Sequence, residues 1–242
     1  MTRHPRPSGD RSGRTPEGRL LRILALMGGG APGPGLLCAV CVRALDVAGA
    51  GVTVPGGDPG APLCSSDAVA ERLEELGFTL GEGPAVDAHR DGEPVAEPDL
   101  AHPRRARWPS FTPLAVDAGA AAIFAFPLRV GVARLGVLTL HRLRPGQLSD
   151  DQYADALALT GVVASSVLAH QAEAPLGDVA TQLEVLSTSR AEVHQAAGML
   201  SVQLEVSVSD ALVRLRAHSY AEGRPLHDVA VDVVRGRLRL GR

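Results

Sequence analysis

No lysine occurs among the 242 residues, and all 24 basic side chains are arginine. Two readings of that absence stand. Arginine's planar fork and stacking surface suit nucleic acid, while a GC-rich coding bias produces the same substitution with no functional cause. Aromatic residues make up 3% of the chain, with a single tryptophan, so any core must be built of Leu, Val and Ala. Cysteine is scarce: Cys38, Cys41 and Cys64 are the three. A structural zinc needs about four ligands in two spaced pairs, and no second CxxC or HxxxH accompanies Cys38-x-x-Cys41, so no metal is expected. The cysteines read either as small buried hydrophobes or as a redox pair near a helix N-terminus. No run reaches the roughly 18–20 apolar residues that cross a bilayer. The stretch Leu20 to Met27 is interrupted by Arg22 and preceded by Glu17, which argues for a short helix rather than a secretion signal. A cytoplasmic chain without a membrane partner is expected. Also missing are GxGxxG after a strand, GxxxxGK[ST], HExxH and GxSxG. The glycine-rich Gly28-Gly29-Gly30-Ala31-Pro32-Gly33 follows no strand. The chain is read as a non-enzyme with no assignable cofactor.

What is present divides in two. An apolar content of 45% supports real cores, and the length suits one large or two ordinary domains. Residues 1–18 hold Arg3, Arg6, Arg11 and Arg14 among Pro, Gly and Ser, which predicts a disordered tail. A first helix begins at Thr15-Pro16-Glu17, and a second covers 36–45. Strand signals follow at 51–54 and 94–96, separated by helices over 67–76 and from Pro84 to His89. The strongest are Ala120 to Val130 and Ala133 to Leu140, joined around Gly131 as a hairpin. A helix then runs from Ser149 to Ala172, with Ser149 and Gln152 as a capping box and Tyr153, Leu157, Thr160, Ala164 and Val167 at heptad-like steps. This order predicts an α+β fold with an antiparallel sheet over 19–172.

After Pro175-Leu176-Gly177, apolar residues at 176, 179, 183, 186, 193, 197 and 200 alternate steps of three and four, with Arg190 the polar exception. The spacing describes a helix with a coiled-coil-like seam. Ser207 and Asp210 cap a second helix with Val208, Ala211, Leu212 and Leu215 on one stripe, stopped at Gly223. A third follows from Leu226, with Val229, Ala230, Val233 and Val234 inward. The prediction is an all-α three-helix bundle over 176–242. Net charge is −3, yet from Arg214 to Arg242 seven arginines face Glu222, Asp228 and Asp232. Such a basic end reads as a phosphate footprint or as a solvated helix face.

Two resemblances attach to these halves. Val193-His194-Gln195-Ala196-x-Gly198-Met199-Leu200, then Ala211, Leu215-Arg216-Ala217-His218-x-Tyr220 and Gly223-Arg224-Pro225-Leu226-x-Asp228-Val229-Ala230-x-x-Val233-Val234 resemble the ANTAR family, the RNA-binding output domain of bacterial antitermination regulators. Ala197 stands where many members place Lys or Thr. Upstream, Leu63-Cys64-x-Ser66-Asp67, Glu74-Glu75-Leu76-x-Phe78-Thr79-Leu80-Gly81-Glu82-Gly83-Pro84, Arg107-Trp108-Pro109 and Phe124-Ala125-Phe126-Pro127-Leu128 resemble a GAF domain of the kind that precedes ANTAR in actinobacterial proteins. The family often continues with a cysteine where this chain has Ala85.

The GAF resemblance implies a sensor with a small-molecule pocket, for which Glu82, Trp108, Phe124 and Phe126 are the expected lining. Phe111 and Asp87 are further candidates. Core packing for the aromatics, and helix N-terminal charges for the acids, are the competing readings. The ANTAR resemblance implies recognition of RNA stem-loops. Gln195, Arg216, Tyr220 and Arg224 are the expected loop and phosphate contacts, with Gly198 allowing close backbone approach; Tyr220 as a core residue and Gly198 as a helix-packing site are the alternatives. Consecutive helical seams suggest a parallel homodimer, in which a signal at the sensor shifts the bundle between RNA-competent and incompetent states. The alternative functions are a DNA-binding transcription factor and a protein-interaction module that binds no nucleic acid.

Overall fold

The computed structural model describes residues 15–26, 34–54, 61–173 and 192–241. The tail over 1–14, the break at 175–177 and the seam positions 176, 179, 183 and 186 lie outside these residues. The hairpin of β4 (Ala122–Val130) and β5 (Ala133–Arg142) is the centre of the sheet. Its turn residue Gly131 takes φ 59°, the left-handed region open to glycine without a Cβ penalty. Strand β1 (Gly49–Val54) pairs with β5, β2 (Ala61–Ser65) with β1, and β3 (Val95–Glu97) with β4. The order is β2-β1-β5-β4-β3, antiparallel throughout. Strand β2 was not anticipated, because five residues starting Ala61-Pro62 carry a weak strand signal; its place at the sheet edge is where proline is tolerated.

Helices cover both faces, and strand alternation decides which residues each face receives. Phe124, Phe126 and Leu128 of β4 and Leu138 and Leu140 of β5 point to one side. There they meet α1 (Pro16–Leu26), α2 (Pro34–Leu45) and α6 (Asp150–Glu173) through Ile23, Leu37, Leu45, Leu159 and Val163. Ile123, Ala125 and Val137 point to the other side, toward α3 (Ala68–Leu80), α4 (Pro84–Asp91) and α5 (Phe111–Asp117). Full burial of each large aliphatic side chain contributes roughly 1.5–3 kcal/mol. Burial on both faces accounts for the continuous apolar run through β4.

The capping box of α6 forms as expected: Gln152 N–H donates to Ser149 Oγ at 3.2 Å, and Ser149 N–H to Gln152 Oε1 at 3.0 Å. Its buried stripe differs from the heptad reading. Ala156, Leu159, Val163, Ala164 and Val167 pack on the sheet, while Tyr153 and Leu157 are exposed. Contrary to the sequence expectation, one single helix among the described residues, α6 over Asp150–Ala169, is long and apolar enough to cross a membrane by length and composition alone. In the fold its apolar stripe lies on the sheet, and its buried Asp155 accepts from Arg19 at 3.0 Å and from Arg22 at 2.5 Å of α1.

The C-terminal helices α7 (Glu192–Leu204), α8 (Val208–Ala221) and α9 (Leu226–Val234) enclose a separate core of Val193, Ala196, Ala197, Leu200, Leu215, Val229 and Val233 among others. Positions 193, 197 and 200 of the seam are therefore buried inside the bundle rather than left for a second chain. Val208, in the first turn of α8, is exposed instead of inward. Ser207 Oγ accepts from Asp210 N–H at 3.0 Å and donates to the Asp210 carboxylate at 2.7 Å. Phe78 of α3 joins the bundle's core, its ring edge-on to His194 with centroids 6.0 Å apart. The two halves thus meet at the end of α3.

Candidate functional site

On the α3 face the sheet floor is left open. Gly51 of β1 and Thr139 of β5 are register partners. A Cβ at Gly51 would come 2.9 Å from Glu74 Oε1, so glycine there makes room for the Glu74 carboxylate, which accepts from the Thr53 hydroxyl. Thr139 is 6% exposed and its hydroxyl has no hydrogen-bond partner. Thr53, Glu74 and Thr139 line a cavity of ≈ 390 Å³, with Leu73, Phe78, Val86 and Phe111 on its walls and His89, Arg90 and Arg216 among its charged or titratable lining. The volume and the mixture of apolar wall and few polar groups are those of a small-molecule site. Ala85, the position often held by cysteine in the resembling family, is part of the lining and brings no thiol.

None of the four residues expected in the pocket lines this cavity. Glu82 Oε1 accepts the N–H groups of Ser110 at 2.6 Å and Phe111 at 2.7 Å, capping α5, whose own Ser110 makes no side-chain cap. Trp108 Nε1 donates to Asp87 at 3.0 Å, and the same buried carboxylate accepts from Arg107 and Arg90 at 2.8 Å each. Phe124 and Phe126 lie on the opposite face of the sheet. The aromatic walls come instead from Phe78 and from Phe111, the latter among the candidates. A usable signal was the presence of small or hydroxylated residues, Gly51, Thr53 and Thr139, at same-facing positions in strands otherwise filled with large side chains.

The bundle distributes its expected RNA residues over different surroundings. Tyr220 is 74% exposed and so is not a core residue. Gln195 is exposed on α7, where Met199 and Val202 continue the same stripe. A Cβ at Gly198 would meet nothing within 4 Å, so helix packing does not require glycine there and the surface is open to close approach. Ala197 is fully buried, which explains why a polar residue does not suit this position here. Arg224 donates to Asp232 at 2.7 Å, and this bond holds its guanidinium pKa above the ordinary value. Arg216 points away from this surface: it lines the cavity, and a Cβ at Gly81, the left-handed cap of α3, would come 2.8 Å from its Nη1. Arg214, Arg235 and Arg239 are exposed further along the bundle.

Cys38 pairs with Cys64, its Cα atom 6.3 Å away, and the bridge ties α2 to β2. The pair is therefore not Cys38-x-x-Cys41, and reading all three as simple hydrophobes holds for Cys41 alone. That free thiol is buried, which pushes its pKa up to about 12. Among the described residues no His, Cys, Asp or Glu group could hold a metal ion. Asp67 caps α3 through Ala70 N–H at 2.9 Å and meets His141 Nε2 at 3.1 Å. Burial raises its carboxyl, but the Ala70 N–H, the Ser66 hydroxyl and His141 outweigh burial and hold it below the usual carboxylate range.

A five-stranded antiparallel sheet between helical layers, hollow on one face and touching a three-helix bundle, defines a class: an α+β domain joined to a small helical module. Residues 181–234 match the model of the ANTAR domain family. The upstream half is similar to the GAF domain of an Acinetobacter phosphoenolpyruvate-protein phosphotransferase, at 12% identity and TM-score 0.50 over 65% of this chain and 95% of that one. It is also similar to the GAF domain of a phosphoenolpyruvate-protein phosphotransferase from Coxiella burnetii, at 15% identity and TM-score 0.50 over 69% and 98%. Likeness at this identity concerns the fold. No curated protein matches the chain. The protein therefore joins a GAF-fold domain to an ANTAR domain.

Proposed function

We propose that this protein is an RNA-binding transcription antitermination regulator that acts without catalysing a reaction. Its bundle, taken as 176–242, binds stem-loops in nascent transcripts and prevents a competing terminator from forming. Its sensor half, 19–172, admits a small ligand to the cavity lined by Thr53 and Thr139. The observation that carries the reading is the ANTAR match over 181–234, coinciding with a closed three-helix core that leaves Tyr220 and Gln195 outside. Exposed aromatic and polar side chains suit the unstacked bases of RNA loops. A regulator of nascent transcripts acts in the cytoplasm, and that is the location we propose.

We take the working form to be a homodimer. Helices α1 and α6, joined by Arg19, Arg22 and Asp155, expose Leu20, Leu21 and Leu24 on α1 and Leu157 on α6, with Leu21 at 68%. A second copy of this chain would cover that surface. Light scattering on the full chain tests it: a monomer mass at micromolar concentration sinks the dimer.

The test of RNA binding is selection of bound transcripts from a lysate, followed by anisotropy on the recovered hairpins. Tyr220→Ala should cost about 1–3 kcal/mol of hairpin affinity. Duplex DNA competing as well as the hairpin would favour a DNA-binding factor, and no shift with any nucleic acid would favour a protein-interaction module.

A further inference from the structure

Two arginines stand opposite each other on the β4–β5 hairpin. Arg129 and Arg134 are register partners just before the turn, past an irregularity between Leu128 and Arg129, and both residues are exposed. Like charges directly opposite on a sheet are destabilising, so the pair costs stability unless a dipole or an anion offsets it. Helix α4 supplies the dipole. It ends at Gly92, in the left-handed conformation with φ 72°, and a helix end leaves carbonyls without intrahelical donors. Arg129 Nη1 donates to Gly92 O at 3.0 Å, and Arg134 Nη1 donates to His89 O at 3.0 Å and to Arg90 O at 2.5 Å. Capping therefore accounts for one nitrogen of each guanidinium. The side-on fork of Arg134, Nε and Nη2, takes no part in it. That fork and Arg129 Nη1 surround the gap left by the missing side chain of Gly92: a Cβ there would lie 3.7 and 3.8 Å from the fork and 3.5 Å from Arg129 Nη1.

Neighbouring carboxylates do not supply the anion. Asp87 accepts from Arg90 and Arg107 at 2.8 Å each, and Asp91 accepts from Arg90 at 2.9 Å. The Arg90 bond, with the charges of Arg107 and Arg134 close by, holds the Asp91 carboxyl below the usual carboxylate range. Among the described residues no carboxylate forms an ion pair with Arg129 or Arg134, Glu93 just past the cap included. Four arginines thus gather around two aspartates at one end of α4. A small free anion needs an enclosing pocket, whereas these donors stand on an open hairpin, where an extended polyanion fits. Guanidinium forks take phosphate oxygens bidentately. His89 and Arg90, whose carbonyls Arg134 caps, also line the cavity that receives Arg216 of α8. The pair is therefore within reach of a strand leaving the bundle.

We propose that Arg129 and Arg134 form a second RNA contact, on the α+β half of the protein. A phosphate of the single strand flanking the bound stem-loop sits at the Arg134 fork beside Gly92, with Arg129 on the same phosphate or the next. Such a contact reads no sequence; it adds affinity and fixes the direction in which the transcript crosses the protein. The stem-loop part rests on the RNA-binding reading above, while the arginine pair as a phosphate contact does not.

Fluorescence anisotropy on the full chain tests it with three RNAs: a selected hairpin with its flanking strands, the same hairpin trimmed to the stem-loop, and oligouridylate as a structureless strand. Arg129→Gln combined with Arg134→Gln removes both charges. Gly92→Asp leaves the helix cap in place and sets a carboxylate in the gap, at ordinary contact distance from the donors, and Gly92→Asn is its neutral counterpart; Asp and Asn both tolerate the left-handed conformation. The flanked hairpin should bind about tenfold more weakly to the double Gln variant and to Gly92→Asp. In the double variant the slope of log affinity against log salt should shrink by about 1.4, from roughly 0.7 per single-strand phosphate. Gly92→Asn should bind it like the wild type, and the trimmed hairpin should bind all four proteins alike. Equal affinity and salt slope for the flanked hairpin in the wild type, the double variant and Gly92→Asp overturns the proposal. A matching loss in Gly92→Asn, or one as large for the trimmed hairpin, overturns it too, because the effect then belongs to the helix end or to the bundle. If no hairpin binds while oligouridylate binds and loses salt slope in the double variant, the arginine contact stands and the stem-loop reading falls. If no RNA binds at all, both fall.

Discussion

The two faces of the central sheet are built from the same strands and are finished differently. On the α2 and α6 side, Phe124, Phe126, Leu128, Leu138 and Leu140 close against two helices, of which α2 is tied to the edge strand by the Cys38–Cys64 bridge. On the α3 side, the residues in alternate positions include Gly51, whose missing side chain makes room for Glu74, and Thr53 and Thr139, beside which a cavity stays open. One face acts as scaffold; the other gives up burial to hold a cavity. The difference teaches that β alternation lets a single sheet be rigid and receptive at once, because neighbouring residues along a strand belong to opposite layers. A site held on such a framework is preorganised without needing its own core.

Four measurements would sharpen or break that contrast. Phe126→Ala, on the filled face, should cost about 3–5 kcal/mol of unfolding free energy in urea titration; a loss under about 1 kcal/mol, the scale of a surface change, would mean that this face is not the scaffold. Cys38→Ser should cost about 3 kcal/mol by freeing a loop of 26 residues in sequence, and a thiol reductant should destabilise the wild type by a similar amount while leaving the variant unmoved. On the open face, Glu82→Ala removes the acceptor for two N–H groups at the start of α5 and should lower stability by about 1–2 kcal/mol. The smallest effect belongs to Thr139→Val, which replaces a buried hydroxyl lacking a partner with a methyl group: stability should stay level or rise by up to about 1 kcal/mol without ligand. A clear loss there would show the floor to be packed as tightly as the other side.

The open face also carries a pH signature. Asp67 has its carboxyl held below the ordinary value in the folded state, so its contribution is present in full above the unfolded carboxylate pKa of about 3.9. The contribution is lost as pH falls through the lower folded value. Acid titration of unfolding should therefore show a decline below about pH 4 that becomes shallower in Asp67→Asn. An unchanged acid limb would remove Asp67 from the account.

Local chemistry was well read from the residues. The β4–β5 hairpin turns at Gly131, α6 begins at the Ser149–Gln152 box, and the apolar steps through Leu200, Leu215 and Val233 enclose one bundle core. Strand β2 escaped because its Pro62 and short length are tolerated at an edge but give little signal alone. The pocket lining was misplaced for a different reason. Phe124 and Phe126 are two residues apart, hence on one face, but nothing in their spacing says which face is hollow. Glu82 likewise read as a helix-end charge or a ligand contact, while in the fold it caps a helix 28 residues further along the chain.

Most of the secondary structure, the division into an α+β half and a helical half, and the ANTAR pattern follow from the residues by themselves, since caps, periodicity and turn glycines act over a few positions. Tertiary structure decided the pairing of Cys38 with Cys64, the hollow beside Glu74 and the placement of Arg216 in that hollow instead of beside Tyr220. Each of these depends on strand register and on helices meeting across long separations in the chain, where a shift of one residue turns a side chain to the other face.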